Sequence, residues 1–128
     1  MNKINQSIFI FLTVLFLGCN SVCKNNLEGR YYVKKDNATN YLELYKNGEF
    51  LHYYSENDSI ITHRGLWKKS SDGFCKIEFD GWKNFEGKGF DFEKFGNQIL
   101  FIQNNGNVLN HSPDGSNSNS FIKSSNTN

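Results

Sequence analysis

The chain has 128 residues, enough for one core rather than two, with 14 basic against 13 acidic side chains. A formal net charge of +1 without a basic stripe excludes nucleic acid as an expected partner. Aromatic residues make up 16% of the chain and are spread along it, and Pro113 is the single proline.

At the N-terminus, Ile8 to Cys19 is an uncharged apolar run, preceded by Lys3 and closed by Gly18. That is the layout of an export signal, and it is shorter than the about 20 apolar residues of a transmembrane helix. Phe16-Leu17-Gly18-Cys19 resembles, in a variant form, the lipobox of bacterial lipoproteins. Gly18 and Cys19 match it, while Phe16 and Leu17 stand where Leu and a small residue are usual. The resemblance implies a signal peptide over residues 1–18, lipidation at Cys19 with palmitate among the acyl groups, and a membrane-bound tether over residues 19–26. Asn20 is not the aspartate that holds such lipoproteins at the inner membrane, and Asn20 to Lys24 lacks the acidic tract of surface export. The implied address is therefore the outer membrane, facing the periplasm. Cleavage after Ser21 by an ordinary signal peptidase is the alternative, and its product would be soluble.

Three cysteines leave an odd one in an exported chain. With Cys19 acylated, Cys23 and Cys75 make an even pair suited to a disulfide. The other reading makes Cys23 a free thiol and Cys75 a small buried apolar residue.

Beyond the tether, short segments of strand character follow one another. Leu27 to Val33 reads as the first strand and Lys34 to Asn40 as a turn. In Tyr41-Leu42-Glu43-Leu44-Tyr45 apolar and polar residues alternate, Asn47-Gly48 tolerates positive φ, and Phe50 to Tyr54 returns. A two-residue turn would set Leu44 opposite Leu51. A three-residue turn bulged at Gly48 sets it opposite Phe50, and is preferred because it gathers Leu42, Leu44, Phe50 and Tyr54 on one face. Glu56 to Ser59 reads as a loop, and Ile60 to Lys69 as a strand in which Gly65 marks a bulge or a close approach. Phe74 to Phe79 is the next strand, ended by Asp80-Gly81. Gly87 to Phe95 and Gln98 to Ile102 form a further hairpin, Val108-Leu109 a stub, and Asn119 to Lys123 a closing strand.

No ten-residue stretch after Cys19 shows a capped helical period. The expected fold is all-β: a single antiparallel barrel or sandwich of seven to eight strands over residues 27–123, with a frayed tail over residues 124–128. Leu42, Leu44, Phe50, Trp67, Ile77, Phe79 and Phe101 are the expected inward residues. Gly29-Arg30-Tyr31, the Leu42 to Phe50 hairpin and Gly65-Leu66-Trp67 resemble features of the small lipocalin-like lipoproteins of Bacteroidota. The chain is shorter than a ligand-enclosing lipocalin.

Catalytic signatures are not found. His52, His63 and His111 have no local metal-motif spacing, and no nucleophile elbow or phosphate loop occurs, so neither metal nor cofactor is expected. Asn110 to Gly115 resembles a calcium loop but lacks the acidic twelfth residue. Glu78, Asp80, Asp91 and Glu93 are the carboxylates from which a hydrolase would draw an acid–base pair. Asp58-Ser59-Ile60 resembles the O-glycosylation signal of exported Bacteroidota proteins, which marks Ser59. Because Leu42 and Leu44 face the core, alternation sends Tyr41 and Tyr45 outward, with Tyr53 beside them in the bulged register. These three form the expected contact face for an envelope protein or glycan. The expected function is a non-catalytic binding or assembly module at the membrane, with an inhibitor or immunity-type lipoprotein as the alternative and a hydrolase behind both.

Overall fold

In the computed structural model, which describes Cys23 and residues 26–83, 85, 96–116 and 119–125, the alternating segments become eight antiparallel strands. They are β1 (Gly29–Val33), β2 (Ala38–Leu44), β3 (Glu49–Glu56), β4 (Ser59–Lys69), β5 (Lys76–Trp82), β6 (Gly96–Gln103), β7 (Val108–Asn110) and β8 (Phe121–Lys123). Each pairs with its sequence neighbours, and β8 pairs back onto β1, so the sheet closes into a barrel rather than a sandwich. One turn of 3-10 helix, Asn104–Gly106, links β6 to β7. Residues 1–22, with the apolar run and Cys19, and the expected strand Gly87 to Phe95 lie outside the described residues.

Turn chemistry sets the registers. At the β2–β3 hairpin Gly48 adopts φ +86 and donates its N–H to the Tyr45 carbonyl, and Leu44 faces Phe50. This is the bulged register that the alternation favours. Between β3 and β4 the chain is tighter than the four-residue loop expected over Glu56 to Ser59. Asn57 and Asp58 both take positive φ, which closes a two-residue hairpin and brings Glu56 opposite Ser59.

Among the described residues the inward-pointing side chains pack into one apolar core. Tyr31, Leu42, Leu44, Phe50, Ile77, Phe79, Leu100, Leu109 and Phe121 are almost fully buried, and Trp67 and Ile102 pack against them. Phe50 lies at the centre, edge-on to Phe79 at 5.2 Å and 5.9 Å from Trp82. Gly65 is a close approach and not a bulge. The β3–β4 register runs through it unbroken, and it faces the Phe50 ring and the Asp80 carbonyl.

Three expectations are corrected. Phe101 is only partly buried, because the inward residues of β6 are Leu100 and Ile102, one position out of phase with it. Phe74 lies before β5 and is 68% exposed, so the strand begins at Lys76. At its other end β5 does not stop at Asp80-Gly81. Gly81, at φ +75, sits where one extra residue enters the ladder between Phe79 and Trp82. That bulge reverses the alternation, so Phe79 and Trp82 both point inward although three positions apart.

Candidate functional site

The outer wall of β1, β2 and β3 carries a row of tyrosines beside an ion pair. Tyr31 and Tyr32 are adjacent in β1, so one enters the core and the other leaves it. Tyr32 stands opposite Tyr41, and Tyr41 opposite Tyr53, which sets three tyrosines in a row across three strands. Tyr41 and Tyr53 stack at 4.7 Å with planes 12° apart, and Tyr32 leans on Tyr41 at 5.6 Å. Ile122 of β8, 52% exposed, pairs with Tyr32 and extends the row to a fourth strand. With strands about 4.8 Å apart, the stripe is about 14 Å wide.

A charged row lies beside it. Arg30 faces Glu43, and its Nη2 donates to Glu43 Oε2 at 2.8 Å. The guanidinium also lies over the Tyr41 ring at 4.3 Å and reaches the Tyr32 hydroxyl at 3.5 Å. These hydrogen bonds to Tyr32 and Glu43 hold Arg30 protonated even more firmly than usual. Burial raises the Tyr41 phenol, and the neighbouring Arg30 charge opposes that rise.

The faces of Tyr41 are therefore both occupied. Tyr53 covers one from β3, and Arg30 covers the other from β1. What Tyr41 offers to a partner is its edge and its hydroxyl. Tyrosine and arginine are residue types enriched at the hot spots of protein interfaces. Tyr45 takes a different place from the one expected. It lies past the end of β2 at the hairpin turn, and its hydroxyl donates to Glu43 Oε2 at 3.3 Å, so it joins the charged row and not the stacked one. Sequence alone does not single out Tyr32, because two adjacent tyrosines give no phase of their own.

No known protein family, curated protein or solved structure matches the chain.

The remaining sequence candidates are dispersed. Cys23 and Cys75 are bonded, with Cα atoms 5.5 Å apart, and Lys69 Nζ donates to the Cys23 carbonyl at 3.0 Å. Ser59 is exposed as the first residue of β4, beside the Asn57–Asp58 turn. Glu78 is tied to Lys68 at 3.2 Å on the outer wall, and Asp91 and Glu93 lie outside the described residues. In the Asn110 to Gly115 segment Asn110 is buried and accepts the Ser112 N–H, while Asp114 accepts the Ser116 N–H. Among the described residues no three His, Cys, Asp or Glu side chains gather as a metal site.

The histidines instead belong to the barrel interior. His52 is opposite His63 across β3 and β4. Its ring stacks on Trp82 at 4.7 Å and packs on Phe85 at 4.3 Å, with Nε2 3.0 Å from Asn40 Oδ1 and Nδ1 3.2 Å from the Lys83 carbonyl. Burial pushes its pKa down to about 3, and the nearby His63 and His111 act in the same direction. The imidazole is thus neutral at physiological pH, enclosed in an aromatic box with a single N–H, which donates to either the Lys83 carbonyl or Asn40 Oδ1 and not to both.

Proposed function

We propose that the protein is an envelope lipoprotein whose barrel is a non-catalytic module that binds another protein. The Tyr32–Tyr41–Tyr53 row, flanked by Ile122 and braced by the Arg30–Glu43 pair, is the observation that carries this reading. Its rings are fixed against one another before any partner arrives, so little side-chain entropy remains to be lost on binding. Among the described residues the inward side chains pack on one another, and the row on the outer wall is what the barrel presents to a partner. Attachment through an acylated Cys19 at the periplasmic face of the outer membrane is part of the same proposal, supported by the apolar run and by Gly18-Cys19.

A photo-crosslinking residue placed at Ile122 in living cells tests it. One discrete protein adduct is expected from Ile122, none from the same residue at Ile60, and loss of the adduct when Tyr41 and Tyr53 are both replaced by Ser. Adducts equally strong from both positions would sink the proposed face. Capture of an envelope glycan by the wild-type protein, lost with the same two tyrosines, would replace a protein partner by a saccharide.

A further inference from the structure

We propose that the turn between β4 and β5, with Phe74 near its tip, rests against the lipid bilayer that holds the anchor. This deepens the lipoprotein reading above and rests on it. In an antiparallel barrel alternate connections lie at the same rim. The β2–β3 turn, the β4–β5 turn and the β6–β7 turn therefore share one end with the entry of the chain into β1. The Cys23–Cys75 bond and the hydrogen bond from Lys69 Nζ to the Cys23 carbonyl fix the incoming chain to that rim twice. Only four peptide units separate Cys19 from Cys23, so the acylated residue stays within about 14 Å of the rim. The bilayer surface therefore meets this end of the barrel, and the opposite end points away.

Phe74 is 68% exposed at that rim. Its amide is pinned by Asp72 Oδ1 at 3.1 Å, so the ring is presented by an ordered turn. Lys76 lies over the ring at 5.6 Å and is already paired with Asp72 at 2.5 Å. A cation with its charge balanced in this way adds little attraction for anionic headgroups. The contact is thus an apolar one, an aromatic side chain at the headgroup level, where such rings are favoured. Ile60, 66% exposed, supplies the internal contrast, since it lies near the far end of β4, roughly 30 Å along the strand from Lys69.

The test uses the acylated full-length lipoprotein, purified and reconstituted in phosphatidylcholine vesicles whose acyl chains carry bromine near the headgroup. Phe74→Trp should lose emission relative to unbrominated vesicles, beyond any loss shown by the parent with Trp67 and Trp82. Ile60→Trp should keep its emission, and adding anionic lipid should change neither result. Both positions are exposed, and unchanged circular dichroism checks that each variant is folded. Undiminished emission from Phe74→Trp in a protein that mass spectrometry shows to be acylated overturns the orientation alone. Quenching of Ile60→Trp overturns it as well. A chain recovered without an acyl group overturns the lipoprotein reading and this inference together.

Discussion

Replacing Gly65 by Ala should destabilise the barrel by about 1–3 kcal/mol, the usual cost of forcing carbon into a packed core. A Cβ at this position would lie 2.4 Å from the Asp80 carbonyl oxygen and 2.7 Å from the Phe50 ring. The oxygen belongs to the main chain of β5, in register with β4 through the Leu66–Asp80 pair, so it cannot turn aside alone. Phe50 is fully buried between Phe79 and Trp82, so its ring has no empty volume to move into. Relief would require β4 and β5 to part or the central ring of the core to shift. Gly96→Ala is the matched control, because a Cβ there meets nothing within 4 Å. In urea titrations of the chain from Asn20 onward, Gly65→Ala should lower the midpoint without changing the slope. Its melting temperature should drop by about 5–20 °C, at roughly 4–8 °C per kcal/mol for a domain of this size. Unfolding free energies of the two alanine variants that agree within about 0.5 kcal/mol would refute the close-approach argument.

Stability should also fall as pH drops below about 6.5. The folded His52, held to a pKa of about 3, refuses a proton that the unfolded chain accepts, so up to about 1.4 kcal/mol is lost per pH unit. Urea midpoints at pH 7 and pH 5 measure this, above the range where carboxylates titrate, and a profile equally steep in His52→Gln would refute it. Reducing the Cys23–Cys75 bond should lower stability by up to about 4 kcal/mol, and Cys75→Ser should not respond to reductant. An unchanged urea midpoint in reduced wild-type protein would contradict the bridge. Tyr41→Ser should cost about 1–2 kcal/mol, the worth of a partly buried aromatic pair, and leave the barrel folded. A loss of several kcal/mol in thermal melts would make the tyrosine row core and not contact surface.

The hairpin of β2 and β3 was legible in the sequence because two signals agree there: strict alternation around Leu42 and Leu44, and Gly48 at the one place where positive φ is needed. Where only one signal exists, the reading slips. Ile99, Leu100, Phe101 and Ile102 are all apolar, so hydrophobicity gives no phase, and only the register against Ile77 places Leu100 inside and Phe101 outside. Asp80-Gly81 looks like a strand end, yet the bulge carries β5 on to Trp82, which becomes the platform for His52. Nothing local to His52 announces that box. Its walls come from β3, β5 and Phe85, brought together by closure. The tyrosine row was half legible: Tyr41 and Tyr53 follow from the hairpin, whereas Tyr32 needs the β1–β2 register, and Tyr45 leaves the row once β2 ends at Leu44.

The β1–β8 ladder has a kinetic meaning. Every other ladder joins strands adjacent in sequence, so hairpins can form one after another as the chain emerges, each closing a loop far shorter than the domain. Pairing of Tyr31 with Lys123 cannot begin until the last strand has appeared, and it closes nearly the whole length of the domain in one step. Until then the curled sheet has two bare edges, on the short β1 and the still shorter β8. Beyond the paired residues, the Ser124 N–H donates to the Arg30 carbonyl on the β1 side, and the Lys123 N–H donates to the Asn107 carbonyl on the β7 side, so the last strand is tied to both of its neighbours.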